Sequence, residues 1–261
     1  MRFERAVVAL ALAAVATLAA ITSGTAAQAA GTCGAFGNRF AGYYHNPDSV
    51  PTYTFEGASS YLVPQVGNLC SGKTAGNFTN AWVMIGSRVS GSYAQVGYII
   101  SADHTASGGQ PATPVGLRWF AQFSSQGGNN LRTWYSANAQ YDQVGVRHAF
   151  RVLYTPACAC LRATIDTTNV AQSNFNPFSS SSLWGIGPWI PQFAGEVGYL
   201  NSDITGSNAK RTRFTSLGAQ RVADDVLQPM TCTMLRKNDN TARWKVEASS
   251  CDDFDIWTGV L

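Results

Sequence analysis

Charged side chains are scarce in this chain of 261 residues. Asp, Glu, Lys and Arg together make up 13% of it, and the formal net charge is only +3. The basic residues are dispersed, and the largest group, at residues 210–213, alternates in a strand-like pattern that is typical of a solvated face. Because nucleic-acid binding needs a concentrated basic patch, the sequence argues against nucleic acid as a partner.

Histidine and long apolar runs are also rare. The three histidines, His45, His104 and His148, show no metal-ligand spacing with one another or with the cysteines. The long apolar run covers residues 6–21, and no later segment is apolar enough to span a membrane. We therefore predict that the protein binds no metal or other cofactor and that the mature protein is not associated with a membrane. We also expect a monomer.

The first thirty residues have the pattern of an export signal. Arg2 and Arg5 precede the apolar run, and residues 27–29 (Ala-Gln-Ala) form a small-x-small cleavage site. The apolar run is short for a bilayer span and is not followed by a basic stop signal. We expect a signal peptide over residues 1–29 and a secreted, extracellular protein.

Helical periodicity is nearly absent, and the one tolerable helical stretch is residues 219–227. Instead, β-branched and aromatic residues recur in short runs between turn formers. These patterns predict an all-β protein, a two-sheet antiparallel β-sandwich over residues 30–229 with a small disulfide-bonded C-terminal appendage packed on it over residues 230–261. The predicted strands are residues 59–63, 81–85, 93–100, 117–123, 132–136, 148–154, 161–166, 192–199 and 212–217.

Six cysteines in an exported chain favour disulfides over metal or redox chemistry. Proximity in the sequence favours two bonds, Cys33–Cys70 and Cys232–Cys251. Cys158 and Cys160 have one residue between them, so they either close a tight ring or remain free thiols.

Two predicted strands each carry one hydrogen-bonding side chain among apolar or small neighbours. Residues 92–98 (Ser-Tyr-Ala-Gln-Val-Gly-Tyr) contain Gln95, and residues 192–197 (Gln-Phe-Ala-Gly-Glu-Val) contain Glu196. Because side chains alternate across a strand, each of these groups is either solvated on an outer face or held in a cleft. This pair is the main candidate for a functional site.

The order of motifs around this pair resembles that of the glutamic peptidases, the eqolisins and the neprosins. Residues 57–64 resemble their opening strand, residues 81–86 (Ala-Trp-Val-Met-Ile-Gly) a Trp-Val-Gly-Ile strand, and residues 94–98 the strand with the catalytic glutamine. Residues 119–123 stand in the place of an aromatic strand, and residues 193–197 in that of the strand with the catalytic glutamate. The resemblance implies a concanavalin-like jelly roll.

The chain also departs from both families. Residues 195–197 and the C-terminal residues 251–256 look more like neprosin, but neprosins have glutamate where Gln95 stands. Eqolisins have an acidic residue where this chain has Gln122. A dyad in this chain would therefore be of the eqolisin kind, without the additional carboxylate.

The resemblance implies that Gln95 and Glu196 are catalytic. Ionised Glu196 would take a proton from the attacking water, and the Gln95 amide would donate to the oxyanion. We expect the two on neighbouring strands with both side chains on one concave face, and activity at acidic pH. In a peptidase, Trp82, Trp119 and Gln122 would shape the substrate-binding cleft, although burial in the core is the commoner place for the two tryptophans. Trp184 and Trp189 lie in a stretch rich in glycine and proline, and they either line the substrate-binding cleft or staple a long loop onto the sheet.

Two functions remain open at this point. In the first, the protein hydrolyses peptide bonds in a protein or peptide substrate. In the second, it is a non-catalytic, lectin-like binder of a glycan or peptide, and Gln95 and Glu196 bind sugar hydroxyls of a polysaccharide. The alternative is open because a fold does not fix a function.

Overall fold

The computed structural model describes residues 31–45, 55–87, 91–102, 115–125, 131–177, 189–230 and 234–259. This part of the chain contains fifteen β-strands and no α-helix. The strands are β1 Phe36–His45, β2 Phe55–Val63, β3 Phe78–Ser87, β4 Tyr93–Ser101, β5 Gly116–Ser124, β6 Leu131–Tyr135, β7 His148–Thr155, β8 Cys160–Ile165, β9 Thr168–Gln172, β10 Trp189–Tyr199, β11 Thr212–Arg221, β12 Leu227–Pro229, β13 Met234–Asn238, β14 Trp244–Ala248 and β15 Phe254–Thr258.

The strands form two antiparallel sheets, so the predicted all-β sandwich is confirmed. The first sheet has the order β13-β1-β10-β3-β4-β5-β6, and the second has the order β14-β15-β11-β2-β7-β8-β9, with β12 pairing to β11. Strand β10 therefore lies between β1 and β3, although more than a hundred residues separate β10 from β3 in the sequence. Among the described residues there is no helix that is long and apolar enough to cross a membrane.

The main core lies between the two sheets. Alternate residues of each strand point into it, for example Val83, Val96 and Phe193 from the first sheet and Phe150 and Phe214 from the second. Period-two alternation then sends the intervening residues of β3, β4, β5 and β10 to the opposite face of the first sheet. That outer face carries the candidate site.

Close approach of neighbouring strands requires glycine at two positions on this outer face. A Cβ atom at Gly42 of β1 would lie 2.1 Å from the Phe193 carbonyl oxygen, and one at Gly97 of β4 would lie 2.0 Å from the Ala81 carbonyl oxygen. No side chain fits at such distances, so the two glycines allow β1 and β4 to press against their neighbours. Gly42 is also one of the residues that line the groove described below.

The C-terminal segment contributes strands to both sheets. Its strand β13 pairs with β1 in the first sheet, and β15 pairs with β11 in the second. The described residues of this segment therefore extend both sheets and do not form a separate layer. Each sheet gains edge strands from residues that follow the rest of the sandwich in sequence.

The one stretch of the sequence with tolerable helical periodicity, residues 219–227, is not a helix. Strand β11 continues to Arg221, and β12 returns antiparallel to it. Asp225 adopts a left-handed backbone with φ 58°, and Asp224 Oδ1 accepts a hydrogen bond from the Val226 amide. Aspartate favours such turns because its short side chain bonds the nearby backbone, and this turn preference prevails over helical periodicity.

Disulfides close two loops in the described residues. Cys33–Cys70 joins the segment before β1 to the segment after β2, and Cys158–Cys160 closes within the turn between β7 and β8. Cys251 is disulfide-bonded as well. Its predicted partner, Cys232, lies outside the described residues.

Candidate active site

The strand register brings the candidate residues to one face of the first sheet. Gln95 of β4 lies opposite Met84 of β3, and Met84 lies opposite Gln192 of β10. These three residues form one row of side chains across the strands. The next row on the same face, two residues further along, consists of Gly97, Trp82 and Ala194. The third row consists of Ile99, Asn80 and Glu196. Residues opposite each other in an antiparallel pair share a face, so Gln95, Trp82 and Glu196 all point to the same side.

Glu196 is held by two hydrogen-bond donors from β3. The Asn80 amide Nδ2 donates to Glu196 Oε2 at 3.2 Å, and the Trp82 indole Nε1 donates to the same oxygen at 3.1 Å. The Glu196 residue is only 6% exposed. Because both bonds end on Oε2, the carboxylate is fixed in orientation while Oε1 is the oxygen that a bound molecule would meet.

Burial changes the acidity of Glu196. Loss of solvent raises the pKa of this carboxyl from 4.5 to about 7, and the hydrogen bonds from Asn80 and Trp82 oppose the rise. Desolvation penalises the charged form, whereas the two donors favour it. The result is a carboxyl that gains and loses its proton near neutrality, as a general acid or base must.

Gln95 belongs to a separate network of amides and hydroxyls. Its Nε2 donates to Gln122 Oε1 at 2.8 Å, and the Tyr93 hydroxyl donates to that oxygen at 2.8 Å. Gln122 Nε2 in turn donates to Thr133 Oγ1 at 3.3 Å. The three strands β4, β5 and β6 thus fix the Gln95 amide by directional bonds toward the β6 edge of the sheet.

The two networks lie in the same electrostatic environment. Burial, followed by the charge of the Glu196 carboxylate, raises the pKa of Tyr93 well above its usual range. Tyr93 therefore remains protonated and acts as a hydrogen-bond donor throughout the range in which Glu196 titrates.

The expectation that Gln95 and Glu196 lie on neighbouring strands is wrong, because β3 lies between β4 and β10. Two strand spacings of about 4.8 Å and four residues of about 3.4 Å give a Cα separation of about 17 Å within the sheet. Trp82 lies on the diagonal between them. The Gln95 side chain bonds to β5, away from Glu196.

The two networks line one groove, which encloses about 280 Å³. Its floor is an apolar cluster that includes Trp82, Ile99, Phe120 and Ala194. Phe40 from β1 contacts Trp82 edge to face, with the ring centroids 6.2 Å apart. This size is at the lower end of the roughly 300–1,000 Å³ typical of ligand pockets, and an apolar floor with a few fixed polar groups is the usual composition of such sites.

The structure brings four of the seven proposed catalytic and substrate-binding residues together in the groove: Gln95, Gln122, Trp82 and Glu196. Trp119 and Trp189 instead belong to the core between the sheets, on the opposite face of the same sheet. Their positions in β5 and β10 differ by an odd number of residues from those of Gln122 and Glu196, so alternation turns them inward. Trp184 lies outside the described residues.

Sequence reasoning missed several residues of the groove. Asn80 is two residues before Trp82 in β3 and therefore shares its face, a signal that was available in the sequence. Strand β1 was not predicted, and the register with β10 places its Phe40 directly opposite Glu196. The further lining residues that were not singled out are Asn38, Tyr44, Tyr93, Tyr135, Gln192 and Lys237.

Glu196 is the only carboxylate among the described residues that line the groove. Hydrolysis of a glycosidic bond by two flanking carboxyl groups needs a second one. Within the described chain, no group of three or more His, Cys, Asp or Glu residues is arranged to hold a metal ion. The chemistry that this arrangement offers is proton transfer by one carboxyl group beside fixed amide and indole donors.

No family model and no curated protein matches this sequence. Among solved structures, the chain is similar to scytalido-glutamic peptidase in complex with a peptide-based transition state analog. The TM-score is 0.50 at 12% identity, over 86% of this chain and 100% of that one. This likeness shows a shared fold.

Two weaker structural similarities accompany it. SCP-B, a member of the eqolisin family of peptidases in complex with the tripeptide Ala-Ile-His, aligns with a TM-score of 0.45 at 13% identity, over 86% of this chain and 100% of that one. A glycoside hydrolase family 16 endo-glucanase from Bacteroides ovatus aligns with a TM-score of 0.33 at 10% identity, over 65% of this chain and 72% of that one.

Proposed function

We propose that the groove binds an extended polypeptide and that Glu196 catalyses hydrolysis of one of its peptide bonds. The observation that carries the proposal is the state of Glu196, a lone buried carboxyl group that lines an open groove and has a pKa of about 7. We propose peptides as the substrate class because the fold is similar to that of scytalido-glutamic peptidase. Such a protein fits the secreted setting expected from its signal pattern and disulfides.

In this mechanism, ionised Glu196 takes a proton from a water molecule through Oε1. The resulting hydroxide attacks the scissile carbonyl carbon, and the carbonyl π electrons move to the oxygen. Protonated Glu196 then returns its proton to the leaving nitrogen as the C–N bond breaks. The carboxyl group ends ionised as it began, so the cycle consumes only water and needs no other reactant.

We assign the oxyanion donor to Asn80 and no longer to Gln95. The Asn80 amide carries two N–H groups, and its bond to Glu196 uses one of them. The Gln95 amide instead donates to Gln122 of β5, on the side of β4 that is away from Glu196. Its fixed amide and that of Gln122 are better suited to bind the backbone of the substrate at a distance from the reacting bond.

The raised pKa also changes the expected pH dependence. A base must be ionised, and at pH 5 a carboxyl group with a pKa of about 7 is ionised in only about one molecule in a hundred. The value of kcat/KM should therefore rise with pH up to about 7, in contrast to the acidic activity expected from the sequence.

The proposal is tested with a reduced and alkylated protein as substrate and mass spectrometry of the products. Wild-type protein should release peptides at neutral pH, and Glu196→Gln should release none. Glu56→Gln is a matched control, because Glu56 is another buried carboxyl with a raised pKa and does not line the groove. Equal activity of wild type and Glu196→Gln contradicts the proposal.

Two further variants separate the roles of the amides. Asn80→Ala should lower kcat at the pH plateau by about a hundredfold, the usual cost of losing one oxyanion donor. Gln95→Ala should mainly raise KM, because a binding contact that is equally strong in ground and transition states affects KM and leaves kcat unchanged. The opposite pattern would return the oxyanion role to Gln95.

A second candidate function is non-catalytic binding of a glycan. The network of Tyr93, Gln95 and Gln122 presents both donors and acceptors, which sugar hydroxyls require. In this case the purified protein would cleave no peptide from acidic to neutral pH. It would be retained on a polysaccharide column, and Glu196→Gln would weaken that retention.

A further inference from the structure

The groove contains a depression on the side of Glu196 that is away from Gln95. The middle row of the face continues from Trp82 through Ala194 of β10 and Gly42 of β1 to Lys237 of β13. Ala194 and Gly42 have little or no side chain, whereas Trp82 and Lys237 at the two ends are long. The depression is the part of the groove that these small residues line between the two long side chains, and Phe40 packs against the cluster that contains Ala194.

Lys237 forms the outer wall of this depression. Its Nζ lies 4.7 Å from the centroid of the Phe40 ring, and its side chain is 48% exposed. The ammonium group also lies 3.9 Å from Asp239 Oδ2, at the outer limit of an ion pair. That aspartate oxygen already accepts a hydrogen bond from the Phe40 amide at 2.9 Å. Lys237 has three N–H donors, so its existing contacts leave it able to bind a further anion.

The positive charge of Lys237 is isolated in the groove. Among the described residues that line the groove, Lys237 is the only basic one and Glu196 is the only acidic one. A charged substrate group that enters the depression therefore meets one cation at its outer end. An apolar wall beside a cation strengthens its attraction for an anion because it limits solvent screening.

We propose that the depression formed by Gly42, Ala194 and Lys237 is a binding subsite for a carboxylate of the substrate, carried by an aspartate or glutamate side chain. This inference rests on the proposed function, since it names the peptides that the groove would select. Lys237 acts here as a specificity-determining residue and takes no part in proton transfer.

The register also fixes where the acidic residue stands relative to the cleaved bond. Lys237 and Glu196 are two strands and two residues apart, which gives about 12 Å between their Cα atoms. An extended peptide advances about 3.3 Å per residue, so the acidic residue would be about two to four residues from the cleaved bond. All subsites nearer the bond would be indifferent to charge.

The test uses pairs of fluorogenic peptides that differ only by Glu or Gln at one position, scanned along the peptide. Wild-type protein should prefer the Glu peptide by about twofold to fivefold in kcat/KM at one position, as expected for one partly exposed ion pair. Lys237→Gln should abolish the preference for the Glu peptide, and Lys237→Glu should reverse it. The control Lys245→Gln, an exposed lysine of β14, should retain the wild-type preference.

A binding measurement separates failure of this inference from failure of the proposed function. Fluorescence anisotropy of labelled Glu and Gln peptides with Glu196→Gln protein needs no catalysis. If wild-type protein cleaves nothing but Glu196→Gln protein still prefers the Glu peptide through Lys237, the subsite stands and the hydrolytic function fails. If peptides are cleaved and neither assay shows a preference at any position, or Lys237→Gln keeps the preference, the subsite is wrong.

Discussion

Replacing Trp82 by phenylalanine is the most specific perturbation of the proposed site. The change keeps an aromatic ring in the floor of the groove but removes the indole N–H that donates to Glu196 Oε2. Among the described residues, Asn80 then remains as the side-chain donor to this carboxylate. Because the lost bond favours the ionised form, the pKa of Glu196 must rise above its value of about 7.

The size of this change follows from the energy of the bond. A hydrogen bond to a charged group contributes about 1.5–3 kcal/mol, and about 1.4 kcal/mol corresponds to a factor of ten. The acid dissociation constant of Glu196 should therefore fall about tenfold to a hundredfold in Trp82→Phe. The titration is followed directly by NMR of 13C-labelled glutamate carboxyl groups, and independently by the pH at which kcat/KM reaches its plateau.

Trp119→Phe is the matched control for this experiment. Trp119 is an equally large buried indole of the same sheet, but it faces the core between the sheets. Both variants should lose stability because each leaves a cavity, by an amount on the order of 1–3 kcal/mol. Only Trp82→Phe should shift the titration of Glu196. An unchanged Glu196 titration in Trp82→Phe, or an equal shift in Trp119→Phe, would refute the reasoning.

Two further predictions concern stability. Burial and the neighbouring Asp225 raise the pKa of Glu56 from 4.5 to about 8. Because the folded protein binds this proton more tightly than the unfolded chain does, protonation of Glu56 stabilises the fold. This stabilisation is complete below pH 4.5 and is lost as the pH rises to about 8. The urea concentration at the midpoint of unfolding should decrease as the pH is raised from 5 to 8.5, and it should decrease less in Glu56→Gln than in wild type. An equal decrease in both proteins contradicts this prediction. The Cys158–Cys160 disulfide closes a loop of three residues, so the entropy it removes from the unfolded chain stabilises the fold by about 1.6 kcal/mol. The corresponding stabilisation by Cys33–Cys70, which closes a much longer loop, is about 3.9 kcal/mol. Mass mapping should find that dithiothreitol reduces Cys158–Cys160 first and with little loss of stability, and the reverse order would contradict the estimate.

Local sequence patterns were sufficient for nine of the fifteen described strands, β2–β8, β10 and β11, and for part of the site. Glu196 and Gln95 were identified because each is a polar group in an apolar strand, and both proved to line one groove. Strand β1 was missed because residues 36–45 combine two glycines with aromatic and polar residues and lack the β-branched residues that mark a strand.

The spatial relation of the candidate residues depended on long-range pairing. Nothing in the local pattern indicates that β10 inserts between β1 and β3, and this order is what separates Gln95 from Glu196. In β5, Arg118, Gln122 and Ser124 occupy the face opposite Trp119, so the sequence did indicate the face of that tryptophan. The face of Trp82 was hidden, because both faces of β3 are largely buried. A strand that is buried on both sides has no polar face by which the sequence could distinguish core from groove.

The central claim is that the Glu196 carboxylate is the base of a peptidase, and the pH profile of peptide cleavage tests it most directly. Cleavage of one fluorogenic peptide is measured from pH 4 to pH 9 for wild type and Glu196→Gln, with peptide affinity measured in parallel by anisotropy. The account predicts that wild-type kcat/KM rises with pH to a plateau above about 7, and that Glu196→Gln binds the peptide but does not cleave it. Cleavage by Glu196→Gln, or a wild-type rate that is independent of pH between 5 and 8, would contradict it.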